Sequence, residues 1–194
     1  FKLSPPGGDV IGRRRLDTHI LALRALGAEV EYDRGFMFNA NGLHGADILL
    51  DEASVTATEN AIMAAVRAKG ETVLRNAASE PHVQDLCHFL NGLGAQIEEI
   101  GSNTLRIQGV PKLHGGEFTI GPDYLEVMSY VGAAAVTHGT VRVKNAGVKN
   151  LQMIAHIFER MGVLWQVEGD DLIVPADQEL KVIPDLDGAI PEIK

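Results

Sequence analysis

Apolar residues recur along this chain at two alternating periods, one helical and one extended. After Asp17, the positions Ile20, Leu23 and Leu26 fall three apart, which predicts a helix capped by Asp17 and ended by Gly27. Val30 and Tyr32 then alternate with Glu29 and Glu31 as a half-buried strand, and Asp33-Arg34-Gly35 turns the chain into Phe36-Met37-Phe38. Thr56-Ala57-Thr58-Glu59 has the form of a capping box and opens a second helix, running to about Ala68. Gly70 stops it, and a strand over 72–75 follows. Pro81 suits the first turn of a third helix with Val83, Leu86, Leu90 and Leu93 on one face. Further strands are predicted at Ile97, over 104–107 and over 117–120. The later chain repeats this grammar, with helices over 124–136 and 151–161 and strands over 140–144, 164–167 and 172–174.

The recurrence is also one of sequence. Arg75-Asn76-Ala77 resembles Lys144-Asn145-Ala146 at a spacing of 69, and Gly94 precedes Gly162 by 68. Gly27 precedes Gly94 by 67, within matching Leu-Gly-Ala triplets. Three copies of one unit are therefore visible, the first lacking its front half. Alternating helices and strands, with a hairpin closing each unit, predict an α/β protein (α+β by some schemes) of repeated βαβαββ-type units around internal helices. Gly121-Pro122-Asp123 is the expected hinge between two bodies, dividing the chain into 1–120 and 121–194.

Composition narrows the class. With 45% hydrophobic residues among 194, a core is affordable and disorder is excluded. No apolar run approaches the roughly 20 residues that span a bilayer, so no membrane partner is expected. The single Cys87 cannot form an intrachain disulfide, which fits the reducing cytoplasm. A net charge of −9 argues against nucleic acid as a partner. Met128, Met153 and Met161 are expected in the core, Trp165 in packing, and Cys87 as a buried thiol. The histidines show no metal-ligand spacing. The chain opens without methionine and ends abruptly, so a piece of something longer is expected.

Against that acidic background, Pro5-Pro6-Gly7-Gly8-Asp9-Val10-Ile11-Gly12-Arg13-Arg14-Arg15 stands out. Three adjacent arginines in a glycine-rich loop point to an anionic ligand met locally, with Asp9 as a carboxylate carried on the same segment.

Loop and repeat together resemble the UDP-N-acetylglucosamine 1-carboxyvinyltransferase family of enolpyruvyl transferases. The motifs carrying the resemblance are Pro6-Gly7-Gly8-Asp9-Val10-Ile11-Gly12, then Arg14 with Leu16-Asp17-Thr18-His19. Ser54-Val55 with Ala57-Thr58, Asn76-Ala77-Ala78 with Glu80-Pro81, and Gly121-Pro122-Asp123 follow in family order. The resemblance implies an inside-out α/β barrel, here incomplete. Residues 1–120 would be the later part of the UDP-sugar-side domain, with its closing loop at 5–15, and residues 121–194 the first unit of the second domain. The family's N-terminal and C-terminal parts would be the missing partners, and the segment alone would be inactive.

The implied reaction moves enolpyruvyl from phosphoenolpyruvate to the 3-hydroxyl of UDP-N-acetylglucosamine with loss of phosphate, the step that begins peptidoglycan synthesis. No metal or organic cofactor is implied. Asp9 stands where most members carry cysteine and some aspartate, and would be the general acid. Fosfomycin, which alkylates that cysteine, would then not inactivate this protein. Arg14 would contact phosphoenolpyruvate and the nucleotide sugar, since both anionic groups accept bidentate guanidinium bonds. Arg15, Leu16, Asp17, Thr18 and His19 would continue the nucleotide-sugar segment, with Ala53, Ser54 and Val55 as a second one. Glu52 replaces a lysine common in the family. Glu80 and Asp123 are further candidates, each with helix-end placement as the competing explanation. Two other readings stand beside this one. One is a relative of the shikimate-pathway enolpyruvyl transferase, whose Gly-Asn-Ala-Gly-Thr signature is not seen here; the other is a non-catalytic paralogue that binds a nucleotide sugar.

Overall fold

The two periods seen in the sequence become helices and strands, with helices packed against the faces of the sheets. A computed structural model describes residues 1–4 and 16–190. It divides into two compact units, Phe1–Thr119 and Ile120–Lys194, each with its own core.

The first unit contains β1 (Lys2–Leu3), α1 (Asp17–Ala25), β2 (Glu29–Tyr32), β3 (Phe36–Asn39) and β4 (Asp47–Leu49). It continues with α2 (Val55–Ala65), β5 (Glu71–Arg75), α3 (Pro81–Gly92), β6 (Gln96–Glu98) and β7 (Thr104–Gln108). The second unit has α4 (Tyr124–Val136), β8 (Val141–Val143), a single 3-10 turn at Val148–Asn150, α5 (Gln152–Glu159), β9 (Gln166–Glu168) and β10 (Asp171–Val174).

Each sheet repeats one topology. The orders β1-β3-β2, β5-β7-β6 and β8-β10-β9 are equivalent and antiparallel, and β4 adds a parallel edge beside β5. Alternation then decides what each face meets. On β5 and β7, Leu74, Leu105 and Ile107 turn inward, while Arg106 lies outside between Glu71 (2.9 Å) and Glu99 (3.2 Å). Inside, α2 buries Ala57, Thr58, Ala61, Ile62 and Ala65, and its small side chains allow close packing against α1 and α3.

The repeat has a backbone signature. Gly27, Gly94 and Gly162, one in each of the three sequence repeats, each follow a helix with φ between +79° and +98°, the left-handed turn that glycine closes without strain. Asn76 and Asn145 share φ near +50°. The residue after each, Ala77 or Ala146, donates its N–H to a carbonyl in the following hairpin, of Asn103 (2.9 Å) or Asp170 (2.7 Å).

Several expectations need correction. Leu16, with no side-chain cap bond, occupies the cap position of α1, and Asp17 is the first helical residue, where its carboxylate still favours the helix dipole. Ser54, not Thr56, caps α2, accepting from the Ala57 N–H at 3.4 Å. That helix ends early at Ala65 because its last turn tightens into i−3 bonds, from Arg67 to Ala64 and from Ala68 to Ala65. The strand expected over 117–120 does not form, as no described strand pairs with it. The strand expected over 164–167 lies at Gln166–Glu168. Tyr32 is 64% exposed and Met153 71%, so neither belongs to a core. Trp165 does pack, edge-on against Phe158 at 6.1 Å. Among the described residues no helix is long and apolar enough to cross a membrane.

Candidate functional site

The starts of α1 and α2 lie side by side. At their far ends the segment 43–45 joins the two helices, since the His44 N–H donates to Leu26 O (2.9 Å) and Lys69 donates to Leu43 O (2.7 Å). The helices are therefore parallel, and their amide-bearing ends point the same way, an arrangement that favours negative charge.

Two sequence-distant segments meet at that end. Thr18 Oγ1 donates to Asp51 Oδ1 at 2.7 Å. Asn60 Nδ2 donates to His19 Nδ1 at 2.7 Å, and Thr56 Oγ1 lies 3.4 Å from His19 Nε2. Because an amide nitrogen only donates, Nδ1 accepts and the neutral ring carries its proton on Nε2. Partial burial holds the His19 pKa below the ordinary imidazole value, which favours that neutral form. Leu16, His19, Ile20 and Asn60 also line a cavity of about 470 Å³ whose other walls include Phe36 and Phe38.

A third segment joins from the other side of α2. Thr58 Oγ1, fully buried, accepts from the Ala78 N–H at 3.0 Å, and Asn76 Nδ2 donates to Leu50 O at 3.0 Å. This fixes 76–80 beside the start of α2. Glu80 occupies the cap position of α3 without making a side-chain cap bond. Its Oε2 is buried with no hydrogen-bond partner among the described residues, a rare condition for a carboxylate oxygen.

Of the residues singled out by sequence, Leu16, Asp17, Thr18 and His19 thus share one end of the unit with Ala53, Ser54 and Val55, and with Glu80. Asp9, Arg14 and Arg15 lie outside the described residues. Asp123 caps α4 in the second unit, where its Oδ1 accepts from the N–H groups of Leu125 (2.9 Å) and Glu126 (3.3 Å). Sequence reading missed Asp51 and Asn60. Asn60 was legible in principle, since it stands one turn after Thr56 on the same helical face. Asp51 carries no such signal, because its partner lies 33 residues away. No group of three His, Cys, Asp or Glu side chains among the described residues could hold a metal ion.

Comparison with known proteins settles the family. A sequence model described as EPSP synthase (3-phosphoshikimate 1-carboxyvinyltransferase) matches residues 2–190. The chain belongs to the EPSP synthase family. Within that family it is 55% identical over 191 residues to UDP-N-acetylglucosamine 1-carboxyvinyltransferase of Treponema pallidum, covering 98% of this chain and 45% of that protein. It is 57% identical to the protein of the same description from Bradyrhizobium diazoefficiens, covering 99% and 44%. The chain therefore spans less than half the length of these relatives. Among solved structures, the enolpyruvyl transferase NikO of Streptomyces tendae superposes with a TM-score of 0.73 at 25% identity, over 82% of this chain and 42% of that one. EPSP synthase of Acinetobacter baumannii gives 0.64 at 21% identity, over 88% and 42%, and shows the shared fold. The EPSP synthase-family architecture is the inside-out α/β barrel, of which this chain is an incomplete part.

Proposed function

We propose that the full-length protein transfers enolpyruvyl from phosphoenolpyruvate to the 3-hydroxyl of UDP-N-acetylglucosamine, releasing phosphate, in the cytoplasm and at the start of peptidoglycan synthesis. The observation that carries this reading is the joining of residues 16–19 to 51–56 and Asn60 through Thr18–Asp51 and the His19 contacts. The family resemblance assigns residues 15–19 and 53–55 to one nucleotide sugar, and these contacts flank the second of those segments. More than half identity to relatives of that description, against 21% to an EPSP synthase, favours the UDP-sugar over a shikimate substrate.

In this reading Leu16 to His19 and Ala53 to Val55 hold the nucleotide sugar at two parallel helix starts, where backbone N–H groups face its phosphates. Glu80 and Asp123 are further candidates for substrate contact. Arg14 contacts both the phosphoenolpyruvate and the nucleotide sugar, and Arg15 continues the nucleotide-sugar segment. Asp9 gives a proton to the methylene carbon, which leaves C2 electron-poor. The sugar 3-hydroxyl oxygen bonds to C2 as its proton passes to solvent. The C2–O bond to phosphate then breaks and the Asp9 carboxylate takes back a methyl proton, which restores the double bond. A free aspartate, with a pKa of about 3.9, is a poor acid near neutrality. For Asp9 to donate a proton near neutrality its pKa must be raised, by burial or by the substrates' negative charge.

The test is phosphate release from phosphoenolpyruvate by the full-length protein. Release that requires UDP-N-acetylglucosamine, falls about 10²–10⁴-fold in Asp9→Asn, and resists fosfomycin supports the reading. Asp9→Cys is expected to recover activity and gain fosfomycin sensitivity. Nucleotide-sugar binding without phosphate release would contradict it in favour of a binding paralogue.

A further inference from the structure

The bond between Thr18 and Asp51 has features that a surface polar contact lacks. Thr18 is only 2% exposed, so its hydroxyl cannot reach a ligand and must find its partner inside the protein. Its acceptor is a charged carboxylate, which makes the bond stronger than one between neutral groups. The helix it belongs to has no side-chain cap at Leu16, so the first turn of α1 is tied down from across the unit instead of by its own end.

Asp51 stands on a firm base. It directly follows Leu50, which is fully buried, whose N–H donates to Arg75 O at 3.0 Å and whose carbonyl accepts from Asn76 Nδ2. Leu50 thus extends the parallel pairing of β4 with β5 by one residue. The position of Asp51 is set by the sheet, and the 2.7 Å bond passes that position to α1. The neighbours of Thr18 in sequence, Asp17 and His19, are the residues whose placement this decides.

We propose that Thr18, anchored on Asp51, is a positioning residue that holds the start of α1 at the spacing from the start of α2 which the nucleotide sugar requires. This rests on the functional reading above. Thr18 acts through its neighbours, so removing its hydroxyl loosens nucleotide-sugar binding and leaves phosphoenolpyruvate and turnover largely alone.

The experiment uses the full-length protein and titrates UDP-N-acetylglucosamine into Thr18→Val, Thr18→Ser, Asp51→Ala and the Thr18→Val/Asp51→Ala double variant. Thr18→Val keeps the side-chain shape and removes the donor. It is expected to raise the nucleotide-sugar Kd and KM about tenfold, the size of one such hydrogen bond. Its kcat and phosphoenolpyruvate KM should stay within about twofold of wild type. Thr18→Ser restores the donor and is expected to restore the Kd. Asp51 is exposed at the site and could touch the ligand itself, so the double variant separates the two roles. A double variant no weaker than either single one supports action through the pair. Fully additive losses, or a Thr18→Val protein that melts lower but binds as wild type, would overturn the inference. If Thr18→Val does not fold, Asp51→Asn, which keeps an acceptor, must bind near wild type while Asp51→Ala does not, and equal binding by both overturns it. A wild-type protein that binds no nucleotide sugar would sink the functional reading and this inference together, whereas intact wild-type binding with an indifferent Thr18→Val sinks only the inference.

Discussion

His19 shows how much one side chain's chemistry is set by its neighbours. Asn60 donates to one ring nitrogen and Thr56 faces the other, and partial burial lowers the pKa. A histidine whose folded pKa lies below its unfolded value of 6.5 binds fewer protons when folded. The stability it contributes is present above pH 6.5 and is lost as pH falls through the lower folded value. Thermal unfolding of the full-length protein between pH 8 and 5 should therefore fall more steeply for wild type than for His19→Gln. Parallel curves would show that His19 stays accessible to protons. At this scale the sequence was partly legible. His19 and Thr18 were singled out, but Asp17 was expected as a cap that Leu16 takes instead, because helix starts shift by a residue at no sequence-visible cost. Asp51 was illegible, since its role exists only when β4 and α1 have folded together.

Among the elements, helix ends and crossings carry the constraint. Gly27 ends the first helix at φ +98°, and a Cβ there would meet only the His44 ring at an ordinary contact distance of 3.9 Å, so Gly27→Ala costs backbone strain of about 1–2 kcal/mol. Gly109 differs. A Cβ there would lie 1.6 Å from Ala68 O, a carbonyl in the tightened turn after α2. Gly109→Ala is expected to destabilise by more than about 3 kcal/mol, in the tail of mutational effects where main chain must move. Denaturant unfolding of the two variants checks the order, and an equal loss would contradict it. Helices with strong periodicity were readable to within a few residues, as α4 at Tyr124–Val136 shows. The strand expected over 117–120 was not, because alternation states what a strand would bury but not whether a neighbouring strand is available to pair.

At the scale of the whole molecule, the internal repeat is what made the fold legible, since one unit's grammar predicted the next. Each of the two units carries its own core, and the candidate site assembled from α1, α2 and the segment at Glu80 lies wholly in the first. Cys87 sits fully buried on α3 in that core, and burial pushes its thiol up to about 11. A thiol reagent should therefore leave it unmodified in the folded protein near pH 7 and modify it when denaturant opens the first unit. Rapid native modification would contradict the packing of α3. The measurement that tests the central claim most directly is a crystal structure of the full-length protein with UDP-N-acetylglucosamine bound. The account predicts its diphosphate and sugar against the paired starts of α1 and α2, within hydrogen-bonding distance of the backbone at Leu16–His19 and Ser54–Val55. A nucleotide sugar bound away from both helix starts would contradict it.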